Sequence, residues 1–559
     1  MTPPSGLHTL GRMPRLATLA ALATLAACSG ADSATSARGR VGGTVVIVEP
    51  DAPDALLPPT ANNITSQKII DQLFETLATM NDRLNPFGDR DMVPALADRW
   101  SWAPDSLSIA FHIDPRARWH DGVPVRASDV RYTFRTYTDS ALASPIAVDV
   151  QPIDSVTVRD SLTAVFWFHK RYPLEFHDAA TVMYVLPEHI LATTKPADLR
   201  ASPFTHQPVG SGRFRLHRWT QDQSVELTAD TANYHGRPLL DNLVFLSAPN
   251  YSGALVKLYA GDADVFDVIH PELVADVAKH PQISLRTYDG ASYVFLGFNL
   301  SNPLFADRAL RRALTMALDR QSMLRNVLDT MGRVPRGPFF HSNVVADTTL
   351  PAIAYDTAAA DRTLDSLGWR RGPDGVRRRG GRPLAFSLAV PTSSKARVRY
   401  GVLIQDQLQR VGVAVTVEQL EFATLIQRVQ QHQFDTYLQA FVGDMSPEGV
   451  QQTWSSGAIA NGRNYSSYRN PTFDALVDSG MNSFDVDHAR AYFRRAFVVI
   501  NDDAPGIWLY EPLQIAAIAR RIHPTVMRPD GWWTTLADWY ILPGDRIARD
   551  HIGVQSPAP

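Results

Sequence analysis

An α/β fold divided into two or three domains is what this sequence predicts, on three observations. Apolar runs of period two interleave along the chain with apolar runs of period near 3.6, the pattern of strands and helices mixed in one architecture. The chain has 559 residues, more than one ordinary core organises. Apolar residues are 45% and charged residues 20%, which marks the bulk as globular.

The first segment reads as an export signal. Arg12 and Arg15 precede an apolar run, 16–27, that ends in Leu25-Ala26-Ala27-Cys28. That run is too short to span a bilayer and fits the apolar core of a signal peptide. Leu-Ala-Ala-Cys resembles the lipobox of bacterial lipoproteins, which implies cleavage before Cys28 and acylation of its thiol. Several acyl chains hold firmly where one holds weakly. The alternative is a plain secretory signal with Cys28 incidental. Cys28 is the only cysteine, so no intramolecular disulfide and no Cys-based structural zinc site is available. Residues 28–40 are rich in Ser, Ala and Gly and read as a flexible tether.

Folded structure is expected from Val41. Thr44-Val45-Val46-Ile47-Val48 reads as a buried strand. Residues 64–80 carry Ile69, Ile70, Leu73 and Leu77 at helical spacing. Residues 107–113 alternate Leu107, Ile109, Phe111 and Ile113 with Ser108, Ala110 and His112, a half-buried strand. Two strands follow around Arg159-Asp160-Ser161, with Phe166 and Phe168 on one face and Trp167 on the other. Strands are expected at 212–219, 224–228 and 243–246. Residues 309–328 read as one amphipathic helix, with Arg308, Arg311, Arg312 and Arg320 as solvated charges opposite its leucines. A helix at 402–411 meets Gly412, which suits a left-handed cap, and Val413, Val415 and Val417 alternate as a strand.

Chemistry is thinly represented. There is no G-x-x-x-x-G-K-[ST], no H-E-x-x-H and no G-x-S-x-G. A cysteine nucleophile is excluded, because the only cysteine lies ahead of the expected folded body. Asp262, Asp264 and Asp267 are too few for a calcium loop and read as a solvated loop edge. Trp119-His120-Asp121-Gly122 reads as a turn and Gly210-Ser211-Gly212 as a bare glycine pair. The expectation is a non-enzyme with no cofactor and no bound metal. A net charge of −3 gives no electrostatic case for a nucleic-acid partner.

Several segments in order carry a resemblance: Pro94-Ala95-Leu96-Ala97-Asp98-Arg99-Trp100, then Ala117-Arg118-Trp119-His120-Asp121-Gly122-Val123-Pro124-Val125, then Ser128-Asp129-Val130. Pro208-Val209-Gly210-Ser211-Gly212, Asn233-Tyr234-His235-Gly236-Arg237-Pro238-Leu239-Leu240-Asp241, Phe298-Asn299 with 303–307, and Tyr468-Arg469-Asn470-Pro471-Thr472-Phe473-Asp474 continue it. From 41 to about 544 the chain resembles the family 5 extracellular solute-binding proteins of peptide and nickel ABC importers. The resemblance implies a two-lobed α/β clamp of the type II periplasmic-binding kind with an added domain. The first lobe takes 41–61, 204–290 and 505–559, the inserted domain 62–203, and the second lobe 291–504. It also implies a monomer, exported and lipid-anchored, facing periplasm or exterior, that passes a peptide or peptide-like ligand to permease subunits.

Peptide-binding members hold the ligand's α-amine with an Asp in an aromatic-x-x-Asp-aromatic-x-x-Pro segment. Phe441-Val442-Gly443-Asp444 matches it, with Met445 and Pro447 departing from the pattern. Asp444 and Phe441 are thus ligand-site candidates, the alternative for Asp444 being a cap on a helix from Glu448. Tyr293, Trp454, Tyr465 and Trp533 are aromatic candidates for the cleft, or else core or rim. Dipeptide-type relatives place an Arg where this chain has Pro391-Thr392-Ser393-Ser394, and nearby Lys395, Arg397 and Arg399 read as helix-face charges. Other solutes, such as a nickel chelate or a sugar, and a lipid-anchored sensory or chaperone-like receptor, are the alternative functions.

Overall fold

A computed structural model describes residues 39–443 and 445–551; Cys28, the leader before it and Asp444 lie outside them. One mixed sheet runs through the molecule. Its order is Ala414–Leu420, Ala385–Pro391, Thr436–Val442, Ser292–Phe298, Gly506–Ala519, Val265–Phe266, Thr44–Glu49, Asn242–Ser247, Ser224–Ala229, Phe214–Thr220. Thr44–Glu49 lies inside it, parallel to Asn242–Ser247, so every one of its six residues is buried. That explains a continuous apolar run where an exposed face would have required alternation.

The 14-residue strand Gly506–Ala519 belongs to both halves of the sheet. Gly506 to Tyr510 pair with Ser292–Phe298, and Leu513 to Ala519 pair with Ile283–Asp289. The chain also passes between the halves at Gly290-Ala291, so two adjacent crossings form the junction. Apolar cores lie on either side of it. One joins Ile47, Leu73 and Leu243 to Phe111 and Phe166 of a separate four-stranded sheet, Ala97–Trp102, Ser108–Ile113, Thr163–Phe168 and Ile153–Asp160. Two others fill the half that contains Ser292–Phe298 and Thr436–Val442, and Leu84, Phe87 and Leu174 reach across into one of these.

Four sequence expectations are corrected. The helix expected over 64–80 is Ile64–Leu73, because the Leu73 carbonyl accepts the Gly212 N–H at 2.8 Å and Phe74 turns extended. A Cβ on Gly210 would lie 1.8 Å from that carbonyl oxygen, so the G-S-G segment is where one backbone docks on another. His120 completes the contact, its N–H donating to the Gly210 carbonyl at 2.8 Å. Strand Ser108–Ile113 is not half-buried: Ser108 and Ala110 are buried along with Ile109, Phe111 and Ile113.

The helix expected over 309–328 is two helices, Arg308–Met316 and Arg320–Leu328. Asp319 breaks it by capping the second, its carboxylate accepting the Ser322 N–H at 2.9 Å. Arg311 and Arg320, expected in solvent, are buried. Arg320 donates to the carbonyls of Trp508 and Ile353. Arg311 donates to those of Phe305, Ala306, Asp503 and Ala504. Gly412 does adopt the left-handed conformation, φ +82°, at the end of helix Lys395–Arg410.

Candidate ligand-binding cleft

A cavity of about 480 Å³ opens at the junction of the two halves. Gly290, Ala291, Ser292 and Gln514 line it from the crossings, and Val442 from the strand Thr436–Val442. Its floor is Glu49, Lys68, Asp267, Trp532 and Trp533. Ile64, Val268 and Val442 stand 55%, 43% and 68% exposed at its rim.

The floor is held by a buried ion triad. Lys68 is 1% exposed and donates to Glu49 Oε1 at 2.8 Å, Glu49 Oε2 at 3.0 Å and Asp267 Oδ2 at 2.8 Å. The Trp532 indole N–H donates to the same Asp267 oxygen at 2.7 Å. Burial pushes the Glu49 carboxyl up to about 7, against the pull of Lys68. Burial alone would lower Lys68, but the Asp267 and Glu49 charges hold its ammonium above the ordinary value. The triad ties the end of the first strand, the first long helix and the segment after Val265–Phe266 into one rigid surface.

Asp264 and Asp267 therefore correct the reading of a solvated loop edge. Asp264 is buried and accepts from Arg521 Nε at 2.8 Å and from the Val46 N–H at 2.9 Å, with Arg549 at 2.5 Å. Asp262 alone of the three is exposed.

The structure brings three of the sequence candidates together. Tyr293 is buried, its ring stacked on cross-strand Phe441 with centroids 5.3 Å apart. The buried Trp454 donates its indole N–H to the Tyr293 hydroxyl at 3.2 Å and packs edge-on against Phe295 and Trp508. Phe441 is half-buried in a notch made by Gly443 and Gly449, whose Cβ atoms would meet its ring at 2.6 and 2.2 Å. These three rings form a base beside the crossing strand. Trp533 stands across the cleft and donates its indole N–H to Asp71. Tyr465 lies elsewhere, edge-on to Tyr437 at the strand end away from the junction. Of the nearby cations, Arg399 donates to the Asn326 carbonyl at 2.6 Å, and burial pulls the Arg397 guanidinium below its ordinary value.

The junction carries one more buried acid. Glu511 sits on the crossing strand, accepts the His341 N–H at 2.9 Å and lies 4.0 Å from Arg333, which also bonds Asp289. Burial pushes its carboxyl up to about 7 from 4.5. A raised folded value means the folded chain holds a proton that the unfolded chain has lost between those pH values. Its contribution is full below pH 4.5 and is lost as pH rises through about 7. Glu511→Gln should therefore gain about 2–3 kcal/mol relative to wild type on going from pH 4.5 to 8, read from unfolding curves at both. A constant difference between the two proteins across that range contradicts the assignment.

Sequence reasoning missed Lys68, Glu49 and Asp267. Thr65, Lys68 and Gln72 share one helix face, which reads as solvated until the rest of the fold covers it.

Two lobes that share a crossing strand, with an apolar-rimmed cleft at the crossing, define a binding protein that closes over a solute. Residues 91–462 match the family model of bacterial extracellular solute-binding proteins, family 5, over its middle region. The chain belongs to that family, whose members are non-enzymatic substrate-binding components of ABC transporters. It is similar to the oligopeptide-binding protein AppA of Bacillus subtilis (strain 168), 26% identical over 506 residues, 88% of this chain and 92% of AppA. The structure of AppA with a nonapeptide matches at TM-score 0.70 and 24% identity, covering 90% of this chain and 99% of AppA. NikZ from Campylobacter jejuni, in complex with Ni(L-His), matches at TM-score 0.70 and 20% identity, covering 89% and 99%. These structural likenesses place the fold as the α/β clamp with an added domain.

Proposed function

We propose that the chain captures extended peptides in its cleft and delivers them to an ABC permease. The observation that carries this is a fork in the sheet. Strands Ala385–Pro391 and Thr436–Val442 pair only at Leu388–Thr436 and Ala389–Tyr437. Residues 438–442 are then held on one side alone, by Ser292–Phe298, and Val442 at their end lines the cleft. An extended peptide adds to such an edge through backbone hydrogen bonds, which gives affinity without reading side chains. The apolar rim at Ile64, Val268 and Val442 accepts side chains. The similarity to AppA supports the same ligand class.

In this reading the lobes that close are 41–61, 204–290 and 505–559 on one side and 291–504 on the other, with 62–203 on the first. Phe441 supports the peptide's start, and Asp444, two residues past the open edge, holds its α-amine. Cys28 keeps the clamp at a membrane. The test is mass spectrometry of solute released from the purified protein by denaturation. A ladder of short peptides supports the reading; a nickel chelate, a haem or a sugar replaces it. Asp444→Asn should weaken binding of a free-amine peptide by about 2–5 kcal/mol in calorimetry, the usual loss on breaking a desolvated charge pair. Unchanged affinity removes Asp444 from the site.

A further inference from the structure

We propose that a second chamber beside the cleft is a subsite for a cationic side chain of the ligand; this rests on the peptide reading above. The chamber, again about 480 Å³, lies between the first lobe and the 62–203 segment. Arg528 and Asp530 line both it and the cleft. The partition is the hydrogen bond from the Trp533 indole, on the cleft side, to Asp71, on the chamber side. Trp533 lines the cleft and Asp71 lines the chamber, so this bond lies between the two spaces.

The chamber's charges are unbalanced toward acid. Its arginines are already committed: Arg528 binds both oxygens of Asp530, at 2.9 and 2.6 Å, and Arg213 binds Asp538 at 2.8 Å. Asp71 accepts from Tyr184, Gln67 and Trp533 but forms no ion pair with any described residue. Burial accordingly raises its carboxyl. Glu75 Oε1 accepts from the Tyr234 hydroxyl at 2.9 Å and lies 3.0 Å from His235 Nε2. Glu75 Oε2 is buried with no hydrogen-bond partner among the described residues. An unmet buried acceptor is costly, and a rotation of the Glu75 carboxylate that turned Oε2 toward an entering ammonium or guanidinium would relieve it. An entering anion would face two carboxylates, and a neutral apolar chain would leave Glu75 Oε2 unmet. The cation would also replace the indole N–H on Asp71 as the partition opens.

The test is calorimetry on the intact protein with alanine pentapeptides carrying one Lys, or one norleucine, at each position in turn. At one position Lys should bind about tenfold or more tighter than norleucine. Thr79 is exposed on the chamber wall, so Thr79→Lys places a competing ammonium there without disturbing the core. It should erase the preference, and Thr79→Met should preserve it. Equal affinity for Lys and norleucine at every position overturns the proposal, as does a preference that Thr79→Lys leaves intact. Failure of every peptide to bind rejects the peptide reading itself.

Discussion

Lys68→Met should lower the unfolding free energy by about 3–5 kcal/mol, the cost of leaving buried charges without their partner. The substitution preserves the stem of the side chain, so little packing is lost. What remains is Glu49 and Asp267 facing one another, 2% and 6% exposed, with no cation between them. Glu49, already pushed up by burial, must then take up a proton to stay buried, so the loss is larger at pH 8 than at pH 5. The comparison that isolates the charge is the triple variant Lys68→Met, Glu49→Gln, Asp267→Asn, which should recover most of the loss. Chemical unfolding at the two pH values reads all of this. A single variant as stable as wild type would mean that water reaches the triad, and the floor of the cleft would not be the rigid surface inferred above.

That triad also marks where sequence stops being legible. Local pattern was sufficient for Thr44–Glu49, for the strand pair Phe214–Thr220 and Ser224–Ala229, and for the left-handed Gly412. Each depends on residues a few positions apart. Segment order was sufficient for the family, because many short matches agree in sequence. Partners of buried charges depend instead on distant contacts. Lys68 and Asp267 are 199 residues apart, and Asp264 and Arg521 are 257 apart. Nothing near Asp264 in the sequence distinguishes a solvated turn from a buried anchor. The aromatic candidates divide the same way. Tyr293, Phe441 and Trp454 were nameable by type and do meet. Their common place beside the crossing strand follows from the register Tyr293–Phe441, which sequence does not fix.

Arg311 gives the second large expectation. In sequence it is one of four arginines on a helix face and has no sign of special status. In the fold its guanidinium spends its donors on four backbone carbonyls. Two of these, on Asp503 and Ala504, close the 18-residue helix Val486–Asp503. A helix end leaves carbonyls without intrahelical donors, and a glycine in the left-handed region commonly turns the chain there. Here Ala504 takes that conformation, φ +47°, at a cost glycine would not incur, and Arg311 supplies the donors. The crossing strand begins two residues later, at Gly506.

Arg311→Leu should therefore cost about 3–5 kcal/mol, from several buried carbonyls losing charge-assisted bonds at once. Arg311→Lys should recover only part of it, since an ammonium cannot span the same fork of acceptors. Because the freed helix end feeds directly into the strand shared by both lobes, peptide affinity should fall together with stability in Arg311→Leu. In Lys68→Met the floor of the cleft is struck, whereas here it is the strand through which the lobes are joined. Measuring affinity at a temperature where both variants remain folded separates the two routes. If Arg311→Leu then binds peptide as wild type does, the crossing strand is positioned by its own sheet pairing with Ser292–Phe298 and Ile283–Asp289, and the arginine serves the helix end alone.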